Sequence, residues 1–330
     1  MYSFDEEKLL ATEKDGMACR AAVEKAVDEI YAKGFKNVFF IGIGGTYSAG
    51  LVAKVFVETN SALPFFLSNA GELIHMGNKN LTKDSVVFME SASGDTKEMV
   101  EALELCKKIG AKVYGFIENK ESPMAKGVDV LVSTVNGGFY KIYYFFGYMM
   151  KRWGDFADYD RMCANMEKLP EAIIAAGKAM DPKAAEFAEK YCDAPISYFV
   201  GAGNGWGPVY CLAMCYLEEM QWMKTKSIHA AEFFHGTLEV IEKGVSVVFF
   251  KGEDTSRAEV QRAEDFCRRV TNDITVFDTK DYELKGIDED MRGLFSAFVF
   301  HAVEERVFKN CENVNKHPGD IRRYYRKLTY

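Results

Sequence analysis

Cations are in the minority in this chain: 41 Lys and Arg stand against 49 Asp and Glu, a net charge of -8 over 330 residues. Phosphate backbones are held by clustered Lys and Arg, so this balance argues against a nucleic-acid surface. No run of about 18 apolar residues exists, which excludes a membrane-crossing helix. The start, MYSFDEEKLL, lacks the basic region and apolar stretch of an export signal. A cytoplasmic protein with no membrane partner is expected. The eight cysteines never form Cys-x-x-Cys and show no paired framework, which reads as reduced, mostly buried thiols. The five histidines are too dispersed for metal-ligand spacing, so no metal and no cofactor is expected. What the chain does have is apolar mass, 48% of its residues, enough to supply the cores of two ordinary domains.

The sequence is written twice. Asn37 to Ile41 (NVFFI) is a buried-strand run, followed by Gly42-Ile43-Gly44-Gly45-Thr46-Tyr47-Ser48 and a helical pattern through Val57. Ile196 to Val200 (ISYFV) repeats it, followed by Gly201-Ala202-Gly203-Asn204-Gly205. Gly42 and Gly201 lie 159 residues apart, His75 and His235 lie 160 apart, and Val86 and Val247 lie 161 apart. Three landmarks in order at nearly one offset mean internal duplication. Strands alternating with helical patterns predict an α/β fold, each copy a doubly wound parallel sheet with helices on both faces. Residues 1–150 form the first copy, 151–180 linking helices, and 181–330 the second copy with a C-terminal tail. The aromatic-rich helical segment 138–180 is expected to pack across both copies. A fifth strand of the second copy is expected at 282–287.

The copies differ where ligands of such sheets sit, at the carboxyl ends of the strands. After the strand at Val86, the first copy reads Glu90-Ser91-Ala92-Ser93-Gly94-Asp95-Thr96 ahead of a helix. Hydroxyls, a glycine permitting close approach and the positive end of a helix dipole make a phosphate cradle. Ordinary N-capping by Ser93 or Asp95 is the plainer alternative. Thr46 and Ser48 would form a second wall. The second copy has Lys251-Gly252-Glu253-Asp254-Thr255 at the equivalent turn, where two acids would repel a phosphate. It has instead a carboxylate that the first copy lacks. Leu212, Tyr216, Met220 and Met223 mark the buried stripe of a helix, interrupted by Glu218 and Glu219. Adjacent carboxylates on a helix point about 100° apart, so one can be solvated while the other faces a pocket. A short extended segment is expected to follow and to end at His235-Gly236. Glu219 and His235 are thus the candidate catalytic pair, with surface charge and a structural loop histidine as the plainer readings.

GGTYSAG at 44–50, SASGDT at 91–96, and Glu219 followed 16 residues later by His235-Gly236 resemble the paired sugar isomerase (SIS) domains of glucosamine-6-phosphate synthase. They resemble more closely the fructosamine 6-phosphate deglycases, with a likeness running into the tail HPGDIRRYYRKLTY. The resemblance implies that Gly45, Thr46, Ser48, Ser91, Ser93 and Thr96 hold a sugar phosphate. It implies Glu219 as the base at carbons 1 and 2 and His235 as the ring-opening group. It also implies a homodimer or higher homo-oligomer with shared active sites. The synthase pattern has Thr-Ser where this chain has Gly45-Thr46, and Gln in place of Ala92. The synthase's C-terminal lysine has Arg323, Arg326 and Lys327 as rival counterparts, of which Arg323 is assigned to substrate binding. No glutaminase segment is seen, which favours the deglycase.

The chemistry suits the residues independently of the family. Opening a sugar ring near pH 7 needs a group that both takes and gives a proton, as histidine does. Moving a proton between neighbouring carbons needs a carboxylate held out of water on an apolar helix face. The expected function is release of glucose 6-phosphate and a free amino acid from a fructosamine 6-phosphate, foremost fructoselysine 6-phosphate. The rivals are a phosphosugar aldose-ketose isomerase and a non-catalytic sugar-phosphate sensor.

Overall fold

A computed structural model describes residues 1–329. The chain divides into two compact units, a first of Glu7–Pro170 and a second of Met1–Glu6 with the chain from Glu171 onward. In order, the elements up to the second sheet are α1 (Glu6–Met17), α2 (Arg20–Lys33), β1 (Asn37–Gly42), α3 (Gly45–Asn60), β2 (Phe65–Asn69), α4 (Ala70–Met76), β3 (Ser85–Ser91), α5 (Lys97–Ile109), β4 (Lys112–Ile117), α6 (Pro123–Gly127), β5 (Val130–Ser133), α7 (Tyr140–Trp153), α8 (Tyr159–Met166) and α9 (Leu169–Tyr191). Then follow β6 (Ser197–Gly201), α10 (Trp206–Tyr210), α11 (Glu219–Gln221), β7 (Thr225–His229), β8 (Ser246–Lys251), α12 (Arg257–Cys267), β9 (Ile274–Asp278) and α13 (Ser296–Asn315).

The first sheet has the order β2-β1-β3-β4-β5 and is parallel throughout. Its strands are near-continuous Val, Ile and Phe runs because both faces are covered. On one face Phe39, Ile41, Val87 and Met89 pack with Met99, Leu103 and Cys106 of α5. On the other, Phe88 lies 4.7 Å from Phe40 and 4.6 Å from Phe116 between ring centroids, and the rings of Phe145 and Phe146 on α7 cover them. The aromatic stripe of α7 is therefore core of the first unit.

The second sheet repeats the order, β7-β6-β8-β9, with the same parallel pairing. Phe250 stacks on Phe300 of α13 at 4.9 Å, so α13 covers the face opposite α12. The duplication read from the sequence is a duplication of topology, less one strand. The expected strand at 282–287 does not form. After β9 a 3-10 turn (Thr279–Asp281) diverts the chain, and Arg292 takes up the carbonyls of Thr279 and Tyr282 at 3.2 and 3.1 Å. A fifth strand would need free backbone acceptors of that kind for its ladder.

The helix before Glu219 also departs from expectation. After α10 the chain winds as a π-helix over Cys211–Glu218 before α11 completes the last turn. Hydrogen bonds to the fifth residue widen the turn, so the fully buried leucines are Leu212 and Leu217, five apart. Tyr216 and Met220, on the four-residue spacing, are only partly buried. Trp222, at φ 58°, ends the helix in the left-handed region. His235 does not end an extended segment: β7 stops at His229, and Ala230–His235 is a 3-10 turn.

Candidate functional site

In both units the strand order reverses between the first and third strands of the copy, the place where an open α/β sheet offers a crevice. In the first unit that point is flanked by the turns leaving β1 and β3, whose ends pair at Ile41 and Met89. The β1 turn is tight. Gly42 has no room for a Cβ, which would lie 2.7 Å from the Thr46 backbone, and Gly44 sits at φ 57°. The Thr46 hydroxyl accepts the Ile43 N–H and reaches the Ile43 carbonyl, both at 2.9 Å, closing the turn. Ser48 is buried, 3% exposed, one turn into α3. No side chain caps the N-terminus of α3.

The β3 turn is built the same way. Ser91, buried, accepts the Gly94 N–H at 2.8 Å. Gly94 is at φ 67°, and a Cβ there would lie 2.0 Å from Ser122 Oγ. Ser93 Oγ meets the Asp95 N–H only at 3.5 Å, a marginal hydrogen bond. Thr96 occupies the N-cap position of α5 without making the capping bond. The structure thus brings Ser91, Ser93 and Thr96 together in one turn and Gly45, Thr46 and Ser48 in the turn on the neighbouring strand. Beneath them Lys141 Nζ lies 2.9 Å from Glu90 Oε2, the two side chains 9% and 6% exposed. Burial raises the nearby Glu118 carboxyl above its ordinary range, Lys141 opposing and Glu90 adding to the effect. The sequence reading did not single out this buried cluster.

The second unit fills the same place with its own carboxylates. Asp254 accepts the Asn204 N–H at 3.1 Å and the Ser256 N–H at 2.8 Å, and Gly203, at φ 51°, has no space for a Cβ beside Ser256 Oγ. Glu253 is held by a forked pair of bonds from Arg292, both 2.9 Å. Backbone donors that an anion could use are taken here by the protein's own carboxylate.

The second unit's own opening lies at the end of α11. A cavity of about 310 Å³ is lined by Glu218, Glu219, Trp222, Arg322, Arg323 and Tyr324, among others. The adjacent acids have different partners: Glu218 accepts the Thr225 hydroxyl at 2.7 Å, while Glu219 is paired with Arg322 Nε at 2.9 Å. The Glu219 side chain is 30% exposed and that of Arg322 16%. The environment is therefore ionic and reachable by water, not the dry apolar face expected. Arg323 stacks over the Trp222 ring at 4.0 Å. Arg322 was missed because nothing local marks it; its partner is 103 residues away.

His235 stands apart from this cavity, exposed at the end of its turn. Gly236 after it takes φ 156°, which accounts for the His-Gly pair. His229 is spent on structure, accepting the Ala231 N–H at 3.3 Å beside Trp206. Among the described residues no cluster of three or more His, Cys, Asp or Glu could hold a metal. No helix among the described residues is long and apolar enough to cross a membrane.

Residues 33–137 match the SIS domain family, and the two parallel sheets of like order are consistent with tandem SIS domains. The chain is 27% identical to the fructosamine deglycase of Bacillus subtilis strain 168, over 93% of this chain and 97% of that protein. It is 24% identical to fructoselysine 6-phosphate deglycase of Escherichia coli O157:H7, over 92% of this chain and 89% of that one. A solved structure from Bacillus subtilis, described as a phosphosugar isomerase, superposes with a TM-score of 0.89 at 25% identity, covering 96% of this chain and 100% of its own.

Proposed function

We propose that this protein is a fructosamine 6-phosphate deglycase, acting foremost on fructoselysine 6-phosphate to give glucose 6-phosphate and lysine. The observation that carries the reading is Glu219, a carboxylate facing a cavity of small-substrate size at the end of a π-helix, a distortion frequent at functional sites. The names of the deglycase relatives, matched over nearly the whole chain, support it.

In this reading the turns at Gly45–Ser48 and Ser91–Thr96 take the 6-phosphate through backbone N–H groups and hydroxyls at the starts of α3 and α5. His235 moves a proton from the carbon-2 hydroxyl to the ring oxygen as the ring opens. Glu219 takes the proton from carbon 1, leaving an enaminol, and a proton returned at carbon 2 gives the imine of glucose 6-phosphate. Water adds to carbon 1, the carbon-nitrogen bond breaks, and the amine leaves with the proton. Arg322, bonded to the base at 2.9 Å, holds it in place before the substrate arrives. The working form is a homodimer or higher homo-oligomer.

The test is release of glucose 6-phosphate, followed by a coupled dehydrogenase, from fructoselysine 6-phosphate beside fructose 6-phosphate. Release from the fructosamine is expected, with Glu219→Gln lowering kcat by about 10² to 10⁴ while phosphate-ester binding persists. Conversion of fructose 6-phosphate alone would move the assignment to an aldose-ketose isomerase, in keeping with the superposed Bacillus subtilis structure's description as a phosphosugar isomerase.

A further inference from the structure

The cavity at Glu219 holds two guanidinium groups, and they are not equivalent. Arg322 is committed: Nε bonds Glu219 at 2.9 Å, and Nη1 is bonded to the carbonyl of Gly319. Arg323 has no carboxylate partner among the described residues, and its Cζ sits over the Trp222 ring, 4.0 Å from the centroid. Stacking uses the face of a guanidinium and leaves its edge, a planar fork of N–H donors, free for a carboxylate.

The platform under Arg323 is held at a cost. Trp222 is at φ 58°, a conformation a bulky aromatic residue adopts only when its surroundings impose it. Gln221, 5% exposed, supplies the constraint: its Nε2 donates to the His317 carbonyl at 3.0 Å, and its Oε1 accepts from Asn315 at 3.1 Å. His317 in turn packs on the Trp222 ring at 4.0 Å. The end of α11 and the start of the tail are thus clasped together so that Trp222 and Arg323 face the same cavity as the base. Tyr324 and Tyr325 are exposed on its rim.

From this geometry we propose that Arg323, stacked on Trp222, is the receptor for the carboxylate of the amine half of the substrate, so that the enzyme takes fructosamine 6-phosphates of amino acids rather than of simple amines. The inference rests on the deglycase reading. A base acting at carbon 1 has the departing nitrogen and its substituent beside it, while the phosphate is at the far end of the sugar on carbon 6. An anion met by Arg323 in the cavity of Glu219 therefore belongs to the amine, and the indole, fixed by the left-handed backbone at Trp222, holds the guanidinium in place before binding.

The experiment compares two substrates that differ only in the carboxylate, fructoselysine 6-phosphate and the corresponding adduct of cadaverine, with the wild type, Arg323→Gln and Arg323→Lys. The expected result is that Arg323→Gln raises KM for the lysine adduct by about 10-fold or more and leaves the cadaverine adduct unchanged. Arg323→Lys, which keeps the charge but not the fork, should fall between. Equal loss on both adducts would mean that Arg323 serves the phosphate, the sugar or the fold, and overturns the proposal. Equal kcat/KM of the wild type on both adducts overturns it as well. If the wild type releases glucose 6-phosphate from neither adduct, the deglycase reading fails and takes this one with it.

Discussion

Single carboxylates distinguish the two copies of the duplicated fold, and what each contributes turns on what faces it. Asp278, at the end of β9, is mostly buried, and Arg257 bonds both its oxygens at 2.8 and 2.5 Å. Burial alone would raise its pKa. The Arg257 hydrogen bonds, the Lys280 N–H and the charges of Arg257 and Lys251 outweigh burial and hold it below the ordinary aspartate value. A depressed folded-state pKa means the unfolded chain binds the proton more readily, so the contribution is complete above the ordinary aspartate range and is lost as the pH falls below it. Asp278→Asn should therefore cost about 3 kcal/mol near neutrality, and the gap from the wild type should close as denaturation is followed into the acid limb. A gap independent of pH would show that packing, not charge, is what Asp278 supplies. At this scale the sequence was partly legible. Glu219 could be picked out because it breaks an apolar stripe and has no counterpart in the other copy. Arg322, Asp254's capping role and the Glu90–Lys141 pair could not, because each depends on partners distant in sequence or on loop geometry that residue types alone do not encode.

Elements carry the difference between the proposed anion site of the first unit and its filled counterpart in the second. The turn between β3 and α5 is shaped around Gly94, whose left-handed φ of 67° and lack of a side chain let it lie against Ser122, the N-cap of α6. Ser91 and the Met124 N–H fasten its amide and its carbonyl, at 2.8 and 3.1 Å. Gly94→Ala adds both a disfavoured φ and a collision with Ser122, so destabilisation of about 2 to 4 kcal/mol is expected. Inorganic phosphate should then no longer raise the melting temperature, whereas it should do so in the wild type. Retained phosphate protection in Gly94→Ala would show that this turn is not the anion site. Strands and the helices after them were readable because buried parallel strands and glycine turns leave strong local patterns. The π-helix was not: its wider turn moves burial from the fourth to the fifth residue, Leu212 to Leu217, and a search for α-helical spacing misses it. The missing fifth strand was likewise invisible, since Arg292 takes the Tyr282 carbonyl and the Leu284 carbonyl is turned back to the Ile287 N–H.

On the scale of the whole molecule, duplication followed by divergence has left the proposed phosphate turns in one unit and both proposed proton-transfer residues in the other. Within that second unit Glu219 lines the cavity and His235 does not, standing exposed at the end of its own turn. The proposed reaction needs both groups on one substrate, and in the proposed oligomer a second copy of the chain would supply the histidine that the first does not bring to its own base. Subunit exchange tests this. Glu219→Gln and His235→Asn assemblies should each be nearly inactive. In a mixed dimer, one site would combine both lesions and the other would combine an intact Glu219 with an intact His235 from the partner. Random exchange makes half the dimers mixed, so recovery of about a quarter of wild-type activity is expected. If both residues act within one chain, every site in the mixture carries one lesion and exchange restores nothing. The same measurement reads assembly and chemistry together, because a monomer in solution would also fail to complement, and sedimentation of the wild type separates that case from the other.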